Sequence, residues 1–312
     1  MLKIILNRKV LLVITIVTLV GGAIFFLSLR IPRSNMQNER IRIVASFYPL
    51  SYVANEVGGN LVSVRSLVPA GVEPHDYEPS ARDLIEIGNA DILIYNGASL
   101  EPWVKKWEQG NSPRPKHAIN MAAALKGQNV NLIEKNGAID PHFWLDPIIM
   151  KSETEIVRDL LIQIDPAHKD MFYDNAGHFL AALDALDQHF REGLSSCVLR
   201  DVIVLHEAFN YIARQYGFSV TSIAGISPDE EPSPRELARI ISLVREKGVK
   251  YIFSETVASP KFSELIAREV GGTTLVLNPI ENLTPDEVQS KEDYISKMEM
   301  NLNNLKTAMS CN

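Results

Sequence analysis

DPAHKDMFYDNAGHFLAALDALDQHFREGLSS, residues 165–196, is the stretch on which the fold turns. Pro166 suits the first turn of a helix, and no other proline interrupts the segment before Cys197. Phe172, Ala176, Phe179, Leu183, Leu186 and Phe190 recur at steps of three and four, which gives the helix one apolar face. The spacing predicts a single helix of roughly 28 residues, about 40 Å long at ~1.5 Å per residue. A flexible hinge would be richer in Gly and Ser. Residues 166–195 therefore read as a rigid linking helix, a strut between whatever lies on its two sides.

Both flanks alternate short β-branched runs with amphipathic stretches. IRIVAS (41–46), LVSVRSLV (61–68) and DILIYN (91–96) precede the strut; VIVL (202–205), FSVTSI (218–223), YIFS (251–254) and TTLVL (273–277) follow it. Helical spacing fills 50–58, 80–88, 207–216, 233–247 and 260–270. Ser80 with Asp83 makes a usable N-terminal capping pair. Such alternation implies parallel strands joined by crossover helices. The predicted fold class is α/β, with two similar lobes, 41–165 and 196–312, each built on a parallel sheet and joined by the long helix. A chain of 312 residues is long enough for two domains with a core each.

Residues 1–40 stand apart. Val10–Leu29 (VLLVITIVTLVGGAIFFLSL) carries no charge, and a helix of that length matches the ~30 Å of a bilayer core. Lys3, Arg8 and Lys9 precede it, and Arg30 and Arg33 follow. A secretory signal has a shorter apolar region, about 7–15 residues, and a small-x-small cleavage site. The segment reads as an uncleaved transmembrane anchor and polar tether, with a cleaved signal as the alternative. Either way the remainder lies outside the cytoplasm. The whole chain has net charge −7, but 41–312 holds 25 basic against 37 acidic residues. That balance argues against nucleic acid as a partner.

Seven histidines are present, and three have distinctive settings: His75 in GVEPHDYEPS, His142 in DPHFWLDP and His206 in VLHEAF. Glu281, in LNPIEN, follows the 273–277 strand as His206 follows 202–205. In open α/β sheets ligands bind beyond the carboxyl ends of strands, where three of these four fall. Two come from each predicted lobe, so a cleft between the lobes can gather them. Three imidazoles and a carboxylate suit Zn²⁺, whereas Mn²⁺ leans toward oxygen ligands. Asp76, Asp140, Asp146 and Glu207 are candidates to orient imidazole N–H groups from behind. His168, His178 and His189 fall on the strut, and His117 in a Pro-rich loop, PRPKH; these read as structural or solvated.

SFYPL, LVPAGVEPHDYEPSARDL, DPHFWLDP, LHEAFNYIARQYGF, GISPDEEPSPREL and DYISKMEMNLNNLK, taken in order, resemble the metal-binding solute receptors of zinc and manganese ABC transporters. The resemblance runs across nearly all of 41–312. It implies two α/β lobes joined by a long helix, with metal held between them. It further implies His75, His142 and His206 as ligands, the third being His where manganese-type receptors tend to have Glu. In the last loop many receptors carry Asp where Asn278 stands here, and the chain resembles instead the N-P-I-E branch, in which Glu281 is the ligand. The His-rich loop of many zinc receptors is absent from 120–141.

The function so implied is high-affinity Zn²⁺ capture by a monomer and delivery to an ABC permease in the cytoplasmic membrane, with no enzymatic turnover. A manganese receptor and a surface adhesin with structural zinc are the alternatives. A three-His zinc hydrolase needs a water in the fourth position, which a ligating Glu281 would fill. No H-E-x-x-H, Gly-rich phosphate loop or G-x-S-x-G elbow supports another chemistry. The stiff strut favours limited rocking over wide hinge closure. Cys197 and Cys311 either form a bridge or remain two thiols, since spacing in sequence does not decide.

Overall fold

The computed structural model describes residues 40–135 and 137–312. The predicted span Val10–Leu29, and with it the expected membrane anchor, lies outside the described residues. Among those described, no helix is long and apolar enough to cross a membrane.

The first half runs β1 (Ile41–Ala45), α1 (Tyr48–Gly58), β2 (Val62–Ser66), α2 (Ala81–Asn89), β3 (Ile92–Tyr95), α3 (Pro102–Gln109), β4 (His117–Asn120) and α4 (Met121–Gly127). Its sheet has the order β2-β1-β3-β4, every pair parallel. All four residues of β3 are buried, as a central strand covered on both faces requires. Ser80 and Asp83 form the predicted reciprocal cap at the start of α2. His117 opens β4 instead of sitting in a loop. This edge strand is short and its first two residues are exposed, so the preceding PRPK masks its signal.

A hairpin, β5 (Glu134–Lys135) and β6 (Ala138–Ile139), leads into DPHFWLDP and then α5 (Pro147–Ile164). The sequence reading passes over α5, although its start is legible. Asp146 caps it by accepting the Ile148 N–H, and Pro147 occupies the first turn. After a 3-10 turn at Pro166–His168 comes α6 (Lys169–Gly193), 25 residues where 28 were expected. The difference lies at Asp165, which accepts both the His168 N–H (3.2 Å) and His168 Nδ1 (2.6 Å) and tightens the first turn. The buried residues of α6 are the six predicted ones, Phe172, Ala176, Phe179, Leu183, Leu186 and Phe190.

The second half runs β7 (Asp201–Val204), α7 (Asn210–Tyr216), β8 (Ser219–Ser222), α8 (Pro234–Lys247), β9 (Tyr251–Ser254), α9 (Lys261–Val270), β10 (Thr273–Val276), α10 (Pro285–Gln289) and α11 (Tyr294–Met309). Its parallel sheet is ordered β10-β9-β7-β8. Counted within each half, both sheets place the second strand beside the first, then the third and fourth. The two halves repeat one topology.

Period-2 alternation divides the core. Ile43 and Ala45 of β1 face inward and join Val202, Val204 and Phe253, the α6 phenylalanines, Trp144 and Tyr294 in one contiguous apolar cluster. Val44 faces outward into a smaller cluster with Leu93, Trp103 and Trp107, and Ile203 does so with Ile240, Ile252 and Ile266. Residues 40–312 accordingly form one compact unit, with the principal core shared between the sheets. Cys197 and Cys311 are disulfide-bonded, with Cα atoms 3.8 Å apart, so the question left open by the sequence closes in favour of the bridge.

Candidate metal centre

His75 lies in the long loop after β2, His206 directly beyond β7 and Glu281 in the turn beyond β10. His142 precedes a 3-10 turn at Phe143–Leu145 that leads into α5. These four side chains are buried and offer ligand atoms that all lie within 4.8 Å of one another. Glu281 Oε1 is the hub: it stands 3.3 Å from His75 Nε2, 3.3 Å from His142 Nε2 and 3.2 Å from His206 Nε2. His75 and His142 present their Nε2 atoms 3.3 Å apart. The structure thus brings together all four residues singled out by the sequence.

Two of the imidazoles are held from behind. Asp140 Oδ1 bonds His142 Nδ1 at 2.9 Å and also accepts the His142 backbone N–H. Its other oxygen accepts Asn210 Nδ2 of α7 (2.9 Å), which ties the first-half loop to the second half. Glu255, just beyond β9, bonds His206 Nδ1 at 2.7 Å. A carboxylate on Nδ1 fixes the tautomer and leaves the Nε2 lone pair for a cation. Among the described residues, no comparable bond reaches Nδ1 of His75.

Of the acids proposed to orient imidazoles, only Asp140 does so. Asp146 caps α5, Glu207 pairs with Lys135 (2.6 Å), and Asp76 is exposed. Glu255 was missed by the sequence reading, because nothing in YIFSET distinguishes it until β9 packs beside β7. The sole available signal is its place at a strand's carboxyl end. Of the remaining histidines, His168 pairs with Asp165 and His189 with Glu299, while His117 and His178 are exposed.

Asn278 supports the turn without contacting the histidines. Its Oδ1 accepts the Ile280 N–H (2.8 Å), its Nδ2 donates to Thr256, and Asn301 of α11 brackets its backbone at both N–H and C=O. Ile280 is thereby held at φ +57°, a left-handed conformation unusual for a β-branched residue, and the next side chain, Glu281, is aimed inward. A narrow recess lined by Glu73, Pro74, Glu255 and Asn282 abuts Glu281.

The field at the centre favours positive charge. Burial opposes ionisation of Glu281, yet His206 and the hydrogen bonds from the three imidazoles hold its carboxyl well below the usual range. Burial likewise disfavours a charged His206, but Glu255 and Glu281 outweigh it and raise the imidazole well above its ordinary value. His142 moves the same way, through Asp140 and Glu281. Glu73, largely shielded from water and facing the Glu281 charge, is pushed up to about 9.

A family model described as zinc-uptake complex component A, periplasmic (ZnuA), matches residues 43–308. The chain belongs to the ZnuA family. The zinc-binding lipoprotein AdcA of Streptococcus pneumoniae is 35% identical over 277 residues, 86% of this chain but 55% of AdcA, so the chain spans about half the length of that relative. The high-affinity zinc uptake system protein ZnuA of Bacillus subtilis is 31% identical over 88% of this chain and 90% of its own length. In structure, the Zn(II)-bound ZnuA-like domain of S. pneumoniae AdcA is similar with a TM-score of 0.75, covering 86% of this chain and 99% of that domain. Two parallel sheets in an α/β arrangement are thus shared across the ZnuA family members compared.

Proposed function

We propose that this chain captures Zn²⁺ outside the cytoplasm and delivers it to an ABC transporter permease, with His75, His142, His206 and Glu281 as the ligands. The observation that carries the reading is the spacing of the ligand atoms. Zn²⁺ bonds of about 2.0–2.1 Å arranged as a tetrahedron have edges of about 3.3 Å. Four of the six edges here measure 3.2–3.3 Å. Three imidazoles favour zinc over manganese, and Glu281 in the fourth position leaves no place for a nucleophilic water. The names of the relatives, a zinc-binding lipoprotein and a high-affinity zinc uptake protein, support the same ion.

In this reading 41–165 and 196–312 act as two lobes around the 166–195 helix, with the metal between them, and the monomer is held at the membrane by the 1–40 segment. Capture, not turnover, is its task. Metal analysis of protein purified without added metal, followed by calorimetric titration of the stripped protein, tests it. Stoichiometric zinc and tight rebinding are expected. A preference for manganese, or no tight binding of either ion, would reject the assignment.

A further inference from the structure

The turn that carries Glu281 also grips the loop that carries His75. Asn282 is buried, and its side-chain amide reaches the loop of the first half that carries His75. Nδ2 donates to the carbonyls of Pro69 (2.5 Å) and Val72 (2.9 Å), while Oδ1 accepts the Leu283 N–H (2.9 Å). The Gly71 N–H donates to the Leu283 carbonyl (2.8 Å). Gly71 sits at φ +78°, a conformation that strains any other residue, and a Cβ there would crowd the Pro285 ring at 3.2 Å.

His75 needs such support more than its neighbours do. His142 and His206 each have a carboxylate on Nδ1, and His75 has none among the described residues. Residues 67–80 contain neither helix nor strand. Local bonds hold parts of this loop, Glu73 accepting the His75 N–H (3.2 Å) and the Tyr77 hydroxyl donating to Asp83 (3.0 Å), and the contact with 282–285 is what ties it to the second half. We infer that Asn282 is the positioning residue for His75: it clamps the His75 loop to the Glu281 turn, so that the least restrained imidazole is delivered to the point where the other three ligands converge. The inference rests on the zinc reading and adds to it how the site is assembled across the two halves. An amide is required, because two carbonyls need a donor and a carboxylate offers none at neutral pH.

The test uses the full chain loaded with Zn²⁺, with release followed by transfer to a fluorescent chelator. Asn282→Ala and Asn282→Asp are each expected to release zinc roughly ten-fold faster, the loss of two buried hydrogen bonds. In a His75→Ala background the same substitutions should add nothing further. Hydrogen exchange on the metal-free protein should speed up over 69–77 and stay unchanged in α6. Gly71→Ala, which attacks the clamp from the other side, should reproduce the His75-dependent loss and serves if the Asn282 variants do not fold. Unchanged release and exchange, or an equal loss with and without His75, would overturn the inference. Should the wild-type chain take up no zinc, the functional reading fails, and exchange alone decides whether Asn282 holds the loop.

Discussion

Glu255 and Asp140 each hold one imidazole of the four-residue cluster from behind, and their worth can be separated from that of the proposed ligands themselves. Removing a carboxylate that orients a ligand costs roughly 10- to 100-fold in metal affinity. Calorimetry on Asp140→Asn and Glu255→Gln should fall in that range, while His142→Ala, His206→Ala, His75→Ala and Glu281→Gln should each lose more. Full affinity in any His variant would remove that residue from the ligand set. Protons compete for the same atoms. Because the field of Glu281, Glu255 and Asp140 raises His206 and His142 in the metal-free protein, zinc must displace protons already above the ordinary imidazole value of about 6.5. Apparent zinc affinity should therefore fall steadily from pH 8 to pH 6, with proton release measurable from the buffer dependence of the binding enthalpy. A flat profile would contradict this.

At the scale of elements, α5 holds an unexpected group. Glu153 lies fully buried on its apolar face with no hydrogen-bond partner for either oxygen, and burial pushes its carboxyl up to about 8. In the unfolded chain it titrates near 4.3. The folded pKa is the higher one, so its contribution to stability is complete below about pH 4.3 and is lost as pH rises through about 8. Glu153→Gln removes this dependence. Chemical denaturation of the zinc-loaded protein should show the variant gaining on the wild type between pH 5 and pH 8. The gain should be of order 3–4 kcal/mol, since each unit between the unfolded and folded pKa values is worth about 1.4 kcal/mol. An unchanged difference across that range would mean that Glu153 is solvated. Neighbouring α6 is the opposite case, since its apolar face agrees with its packing at every buried position.

Over the whole molecule, the disulfide ties the end of α11 back to the segment before β7, and α11 in turn carries Asn301 and the support for Asn278. Cys197 and Cys311 stand 114 positions apart, so the bridge closes a long loop in the unfolded chain. Replacing both by Ala should cost about 2–5 kcal/mol in thermal or denaturant unfolding. Zinc affinity should change far less, because neither sulfur is part of the four-residue cluster. A collapse of affinity with little loss of stability would show that the bridge acts on the site directly.

Much of this protein was legible in the sequence because its periodicities are local. The 3.6-residue repeat of Phe172 to Phe190 determined α6, and the β-branched runs determined β1, β3, β7 and β9. The four candidate ligands stood out through their settings beyond strands and beside prolines. What was missed follows from weak or competing local signals: β4 is an exposed edge strand behind a proline run, and the start of α5 is shared with the His142 motif. The tertiary structure alone decided the rest. That Glu255 serves His206, that Asn282 reaches Pro69, that Cys197 pairs with Cys311 and that one core unites both sheets all depend on contacts across tens to hundreds of residues. Hydrogen bonds and apolar contacts act over a few ångströms in space. The pairing of distant residues therefore emerges only when the strands and α6 have brought them together.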